Sequence, residues 1–379
     1  RNADLLASIN ALQCISCHTE HKPEITAKDG LTQPVDVCFH CHQEIAEDRP
    51  SHLGMGFDTC KDAGCHNFHN NRALYTDFLI KHLDQAPMLA EQKLPAREYA
   101  AVLEEILEYP RENYPLKRLD EHDIDATDRL ATNPDIKTEW LETAHARSGV
   151  NCSACHQHAQ TDDTTAEWDD HPDHRVCESC HSVEVSRFFA GKHGMRLKQG
   201  LSPMTPDQAL LPMKADAAHV ELSCTTCHGS HRFDVQQAAV EACLGCHHDG
   251  HSLAYKASPH YRLWQNEFSG LAESGSGVSC ASCHMPRVNR DVSEWMSRIV
   301  VDHNQSANLS PNSKMVRSSC QHCHGLEFTL NALADDALIE SNFDGMPGEH
   351  TQSMKLAEQE RIRRQQQASD DDDADMFGF

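Results

Sequence analysis

The sequence predicts a mainly α-helical chain with much irregular structure, whose core is a set of bound cofactors instead of its own side chains. Only 6% of the 379 residues are aromatic, and the mean hydropathy is −0.60. Such a composition supplies few large apolar side chains with which to build a core for a chain of this length. The chain also has 18 cysteines and 28 histidines, and each cysteine pair is followed directly by a histidine. An apolar group held by these pairs is therefore expected to fill the interior.

The residue after each cysteine pair decides what the pairs do. An even number of cysteines is compatible with disulfides, zinc sites, iron–sulfur clusters or haem attachment. Eight pairs have the form Cys-x-x-Cys-His, one pair has a wider spacing, and no cysteine is left over. In c-type attachment the two thiols bond to the haem, and the next histidine becomes the proximal iron ligand. The pattern predicts nine covalently bound haem c groups and a multihaem cytochrome c fold with the haem array as its core.

The nine predicted attachment sites each consist of two cysteines and one proximal histidine. The third has four residues between its cysteines and is included because every other cysteine belongs to a motif. In chain order the sites are Cys14, Cys17 and His18; Cys38, Cys41 and His42; Cys60, Cys65 and His66; Cys152, Cys155 and His156; Cys177, Cys180 and His181; Cys224, Cys227 and His228; Cys243, Cys246 and His247; Cys280, Cys283 and His284; and Cys320, Cys323 and His324.

The remaining histidines are numerous enough to give every iron a second axial ligand. A histidine three residues after a proximal one points away from that haem and can reach a neighbouring haem instead. His21, His69 and His231 have this spacing, and His158 and His251 are near variants. The other distal candidates stand away from the motifs: His52, His82, His145, His193, His219, His260 and His303.

Iron with two histidine ligands has no open coordination position, so it exchanges electrons without binding a substrate. Methionine could serve as an axial ligand at Met195, Met213 or Met285. The surplus of histidines makes this unnecessary. The sequence therefore favours electron transfer over catalysis.

The spacing of the motifs predicts four parts. A stretch free of cysteine separates three motifs from six, and its sequence indicates helices from Asn71 to Leu83 and from Arg97 to Tyr109. The tail begins at Met354 as a polar helix and then contains the run Asp370 to Asp373, and its low hydrophobicity and like charge favour disorder. The parts are an N-terminal trihaem module (1–70), a helical connector (71–150), a hexahaem domain (151–350) and a polar, acidic, disordered tail (351–379).

The formal net charge is −25, which disfavours nucleic acid and anionic lipid surfaces as partners. Redox partner proteins with basic docking surfaces fit this charge better. No run of 18 or more apolar residues occurs, so no transmembrane segment is expected. Haem attachment to such motifs takes place in exported proteins. The sequence therefore predicts a periplasmic or extracellular protein whose signal peptide has been removed.

Residues 181–328 resemble a superfamily of octahaem hydroxylamine oxidoreductases, octahaem tetrathionate reductases and pentahaem nitrite reductases. The resemblance is carried by FFAGKHGMR, CHHDGHSLAYKASPH, GSGVSCASCHMPR and DHNQSANLSPN. It implies that His193, His260 and His303 bind haem from the distal side, as histidines in these positions commonly do in such families. The chain differs from the enzymes in having no Cys-x-x-Cys-Lys motif and a predicted haem count of neither eight nor five.

Three functions are compatible with these observations. The leading one is electron transfer along a chain of mostly bis-histidine haems, to or from a redox partner. The first alternative is a multihaem oxidoreductase that acts on nitrite, hydroxylamine or sulfur oxyanions at one open haem. The second is a subunit of a conductive cytochrome filament, assembled from copies of the chain.

Overall fold

The computed structural model describes residues 45–48, 53–54, 76–91, 118–128, 133–158, 167–273, 275–293, 296–309 and 312–376. Within these ranges the chain is mainly helical, with much irregular structure and little sheet, which confirms the predicted fold class. The helices are α1 Ile45–Asp48, α2 Thr76–Lys81, α3 Pro134–Leu141, α4 Ala144–Arg147, α5 Ser153–His156, α6 Arg175–Phe189, α7 Met195–Lys198, α8 Cys224–His228, α9 Val235–Ala239, α10 Glu241–Leu244, α11 Gly250–Ala254, α12 Pro259–Phe268, α13 Cys280–His284, α14 Met315–Ser318, α15 Leu326–Ala334, α16 Asp336–Glu340 and α17 Gln352–Met376.

The strands form two small two-stranded sheets. Strands β1 (Gln157–His158) and β2 (Glu167–Trp168) are antiparallel, with Gln157 opposite Trp168. Strands β3 (Arg287–Ser293) and β4 (Met296–Val301) form the second sheet.

The chain divides into two compact units, and neither is one continuous stretch. Unit 1 contains the described residues of Arg1–Ala63, Ala96–His247 and Asn289–Asn304, and unit 2 contains those of Gly64–Pro95, His248–Val288 and Gln305–Phe379. The predicted four-part division along the sequence stays a prediction.

The side-chain core of unit 2 is built where α2, α14, α15 and α17 meet. Helix α2 lies inside the predicted helix from Asn71 to Leu83, whereas residues 97–109 fall outside the described residues. The buried members of this cluster are Leu79, Met315, Val316, Leu326, Leu330, Leu333, Met354 and Ala357.

The tail contains the 25-residue helix α17, and a helix at its start is what the sequence predicts. The first turns of α17 bury Met354 and Ala357 in the core of unit 2. Arg361 also contacts Asp84 at 2.7 Å. Two apolar residues one turn apart are enough to attach the start of the helix, although the average composition of the tail is polar. The disorder expected of the acidic end stays a prediction.

Candidate haem-binding sites

Each described cysteine pair and its histidine are held on one short segment of backbone. The N–H of the histidine donates to the carbonyl of the first cysteine at Cys152–His156, Cys243–His247 and Cys320–His324, with N···O distances of 2.8 to 2.9 Å. This is the hydrogen bond of a single helical turn. It brings two thiols and one imidazole to the same short element, as c-type attachment requires.

Serine caps two of these turns. Ser279 precedes Cys280, and its Oγ accepts from the N–H of Ser282 at 3.2 Å, while Ser282 Oγ accepts from the N–H of Ser279 at 3.0 Å. Ser223 precedes Cys224 in the same way, and its N–H donates to Thr226 Oγ1 at 3.0 Å. Such reciprocal bonds satisfy backbone donors at the start of a helix.

The described motif cysteines form no disulfide bonds. All twelve cysteines of the six described motifs are unpaired with another cysteine. The described ranges also contain no group of three or more His, Cys, Asp or Glu side chains arranged to hold a metal ion. A structural zinc site needs four such ligands, whereas a haem iron takes only two axial ligands from the protein.

Each of the six described motif histidines lies opposite a second histidine. The second histidine comes from elsewhere in the chain, and in every case it is one of the distal candidates that the sequence predicts. The ring-centre distances are His156–His231 5.9 Å, His181–His145 6.1 Å, His228–His303 6.2 Å, His247–His193 6.3 Å, His284–His251 6.2 Å and His324–His260 6.3 Å.

These distances fit two imidazoles on opposite sides of one iron. A metal–imidazole bond is about 2.0 Å long and the ring nitrogen lies about 1.1 Å from the ring centre, so the two centres are expected about 6 Å apart. Rings in direct van der Waals stacking would lie closer. The described residues therefore fit bis-histidine haem at six positions.

Backbone carbonyls fix the orientation of four of these imidazoles through Nδ1. His156 Nδ1 lies 2.6 Å from the carbonyl of Asp169, and His303 Nδ1 lies 2.9 Å from that of Val301. His251 and His324 contact the carbonyls of Ile339 and Pro87 at 2.5 and 3.1 Å. A proton on Nδ1 leaves the lone pair of Nε2 for a metal, which is the usual arrangement of metal-binding histidine. Nε2 of His251 also lies 3.3 Å from Asn342 Nδ2.

The electrostatic surroundings keep several of these imidazoles neutral. Burial, and then the neighbouring His303, lower the pKa of His228 to about 4. Burial, and then His324, lower the pKa of His260 to about 4. Burial also lowers the pKa of His145, His231 and His324. Neutral imidazole is the form that binds a metal.

His231 occupies a strained turn between α8 and α9. Its φ is 62°, and that of Phe233 is 43°, in the left-handed region that non-glycine residues rarely adopt. The turn follows His228 directly, so one short segment carries a motif histidine and the partner of another motif histidine, His156. The three-residue spacing predicts this placement, and the role of His231 as a ligand stays a prediction.

Successive attachment motifs lie close together within each unit. The pKa of the Cys155 thiol is raised by burial and then by Cys177 and Cys180. Cys177 and Cys224 are hydrogen-bonded to each other, and this contact lowers the pKa of Cys224.

The cysteines of the later motifs also lie close to those of the next motif. The pKa of Cys227 is raised to about 12 by burial and then by Cys243 and Cys246. In unit 2, burial and then Cys323 raise the pKa of Cys283 to about 11. Four motifs thus follow one another in unit 1, and two are neighbours in unit 2.

Two Pro-Met segments pair through the backbone with motif histidines. Met213 forms an antiparallel bridge with His247, and Met88 forms one with His324. In both, the N–H after the methionine donates to the carbonyl of the second motif cysteine at 2.8 Å, from Lys214 to Cys246 and from Leu89 to Cys323. The sequence indicates Met213 only as a possible axial ligand and does not indicate Met88. The Pro-Met dipeptide is the signal that both segments share, although it also occurs at Pro203-Met204.

Aromatic rings flank the paired histidines and were also missed. They have no fixed spacing from the motifs, so the sequence offers no signal for them. The ring contacts are Trp168 with His156 at 4.9 Å, Phe233 with His145 at 4.6 Å, Phe328 with His324 at 4.7 Å, and Phe343 with His251 at 6.2 Å and with His260 at 6.0 Å.

Two candidates with described side chains have contacts other than a motif histidine. His219 has an 89% exposed side chain and lies 3.5 Å from Asp207. His82 contacts the ring of Phe78 at 4.6 Å. The backbone of His158 lies in β1, and its role as a ligand stays a prediction.

The first three attachment sites and three of the distal candidates lie outside the described residues. Their assignment as haem-binding residues therefore stays a prediction from the sequence. The attachment cysteines among them are Cys14, Cys17, Cys38, Cys41, Cys60 and Cys65, the proximal histidines are His18, His42 and His66, and the distal candidates are His21, His52 and His69.

Comparison with known proteins gives one match. The cytochrome c3 family matches residues 217–293, a stretch that contains the motifs at Cys224, Cys243 and Cys280. No curated protein and no solved structure matches the chain. The family match supports a multihaem c-type cytochrome with covalently bound haem c, and electron transfer as its general function. The resemblance to the octahaem and pentahaem enzymes stays a prediction.

The described helices include none that could cross a membrane. Their length and hydropathy do not reach what a membrane span needs.

Proposed function

We propose that this protein is a nonahaem c-type cytochrome that transfers electrons, outside the cytoplasm, along a chain of mostly bis-histidine haems to or from a redox partner. One observation carries the proposal. Six motif histidines each lie 5.9 to 6.3 Å from a second histidine, measured between ring centres.

Each residue of these sites has a defined task in the proposal. The two thiols of a motif would hold the haem covalently, and the motif histidine and its paired histidine would both ligate the iron. Haem supplies reversible one-electron oxidation and reduction when bound. The two imidazoles would leave no coordination position for water or small anions.

The succession of motifs supports electron exchange between neighbouring haems. In unit 1 the thiols of one motif lie near those of the next, from Cys155 through Cys177 and Cys224 to Cys243. In unit 2, Cys283 and Cys323 are neighbours in the same sense. Haems attached at adjoining thiols would be close enough to act in sequence.

The pairing weighs against a catalytic iron among these six. A reductase of nitrite or sulfur oxyanions, or an oxidase of hydroxylamine, needs one iron with a free coordination position. The observed pairs offer two imidazoles at every described motif. The net charge of −25 supports a redox partner with a basic docking surface, because opposite charge accelerates encounter.

Spectroscopy of the purified ferric holoprotein tests the proposal. A pyridine haemochrome assay and intact mass are expected to give nine haems per chain. Electron paramagnetic resonance is expected to show low-spin haem at the six paired positions, and these haems should not bind cyanide or nitrite. A stoichiometric high-spin haem that takes up nitrite or hydroxylamine, with turnover by a reduced viologen, would overturn simple electron transfer in favour of an enzyme.

A further inference from the structure

A bidentate ion pair anchors the segment that carries His303. Arg187 Nε lies 2.8 Å from Asp302 Oδ1, and Arg187 Nη2 lies 2.9 Å from Oδ2. The side chain of Asp302 is 7% exposed and that of Arg187 is 28% exposed. Paired hydrogen bonds between guanidinium and carboxylate are short, directional and strong.

The carboxylate of Asp302 also accepts a hydrogen bond from the residue that follows His303. Asp302 Oδ1 accepts from the N–H of Asn304 at 3.0 Å, and Asn304 is 2% exposed. On the other side, His303 Nδ1 lies 2.9 Å from the carbonyl of Val301. The backbone before and after His303 and the ring itself are thereby fixed together.

Arg187 connects this segment to a helix that carries another attachment motif. It lies in the last turn of α6, and the part of α6 before its kink at His181 holds Cys177 and Cys180. The ring of His303 faces His228 at 6.2 Å. The ion pair thus ties the partner of one motif histidine to the element of the neighbouring motif, 115 residues away in the sequence.

We propose that Arg187 and Asp302 are positioning residues for His303 as the distal ligand of the haem attached at Cys224 and Cys227, and that their paired charges set the potential of that iron. The inference rests on the proposed function. An arginine left without its carboxylate favours the reduced iron, whereas a carboxylate left without its arginine favours the oxidised iron.

Spectroelectrochemical titration of the holoprotein tests this inference with two neutralising variants. Asp302→Asn keeps an acceptor for the N–H of Asn304 and is expected to raise the midpoint potential of one haem. Arg187→Gln is expected to lower the midpoint of the same haem. A matched control is Glu360→Gln, because Glu360 pairs with Arg363 at 2.6 Å on helix α17 of unit 2, whereas His228 and His303 belong to unit 1. This variant is expected to titrate as the parent does.

The direction of the two shifts separates a positioning role from a purely structural one. A purely structural role would move both variants in the same direction or leave both titrations unchanged while lowering stability, and either result overturns the inference. Arg187→Lys and Asp302→Glu keep the charges and guard against variants that do not fold. They are expected to retain the midpoint potential of the parent and to broaden the low-spin signal of one haem. A shift in midpoint potential as large as that of the neutral variants would contradict the role of charge.

His303→Ala distinguishes this inference from the proposed function. The ligand assignment predicts one new high-spin haem per chain in this variant. If every haem stays low-spin, the assignment itself is wrong. If one haem becomes high-spin while the two neutralising variants titrate as the parent does, only the role of Arg187 and Asp302 fails.

Discussion

At the residue scale, the six histidine pairs differ in the angle between their ring planes. His156 and His231 are nearly parallel at 13°, whereas His145 and His181 are nearly perpendicular at 84°. The angle between axial imidazole planes sets the electronic anisotropy of low-spin ferric haem. The pairs therefore need not give identical spectra even though their ligands are the same.

The angles predict two classes of low-spin signal. The near-perpendicular pairs, His145–His181 at 84° and His251–His284 at 78°, are expected to give strongly anisotropic signals. The near-parallel pair is expected to give an ordinary rhombic signal. Low-temperature electron paramagnetic resonance of the ferric holoprotein measures this. A spectrum with a single rhombic species for all six positions would contradict the ring geometry.

Loss of one distal candidate should open one iron. His260 faces His324 at 6.3 Å, so His260→Ala is expected to convert one haem per chain from low-spin to high-spin and to create one cyanide-binding site per chain. Optical titration with cyanide counts these sites. His122→Ala is the control, because the His122 side chain is 87% exposed. Equal cyanide uptake by both variants would refute the ligand role of His260.

At the scale of elements, the candidate haem site on α13 is formed by a short helical turn with a cap at its start. Ser279 begins α13 by accepting from the N–H of Ser282, and the helical turn that follows carries both cysteines and the histidine. The local sequence dictates this arrangement, because serine before a helix accepts from a backbone N–H that otherwise has no partner.

Removal of the cap should weaken the turn without abolishing attachment. Ser279→Ala is expected to lower the free energy of unfolding by about 1 kcal/mol, and urea unfolding of the holoprotein followed by circular dichroism measures it. Ser269→Ala is a matched control, since Ser269 is exposed and its Oγ donates to the carbonyl of Gln265. A loss in the control as large as that in Ser279→Ala would show that the cap contributes nothing particular.

Truncation of a buried side chain at the start of α17 is expected to lower the free energy of unfolding more than loss of the serine cap. Met354 is 4% exposed and packs in the core cluster of unit 2, so Met354→Ala is expected to lower the free energy of unfolding by about 2 to 5 kcal/mol. Ile362→Ala on the same helix removes a side chain that is 44% exposed and should cost far less. Similar losses for both variants in urea unfolding would argue against docking of this helix.

At the scale of the whole molecule, charge should govern encounter with redox partners. With a formal net charge of −25, electron transfer from the reduced protein to a cationic acceptor such as hexaammineruthenium(III) is expected to slow as salt is raised, because screening shortens the range of attraction. Ferricyanide, an anionic acceptor, should show the opposite trend in the same stopped-flow measurement. Rates independent of salt with both acceptors would refute electrostatic steering.

The sequence alone determined the helical class and the candidate attachment residues, because attachment chemistry needs residues that are neighbours in the chain. Cys224, Cys227 and His228 lie on one turn, so their roles can be predicted from spacing. A distal partner three residues after a motif histidine, such as His231, could be proposed for the same reason.

Only the tertiary structure decided which histidine faces which motif. His303 and His228 are 75 positions apart in the sequence (303 − 228). The segment DHNQSANLSPN indicates His303 as a distal candidate, but no local pattern pairs it with His228. The ion pair of Arg187 and Asp302 was unforeseen for the same physical reason. Contacts between residues distant in sequence depend on packing, which composition and spacing do not specify.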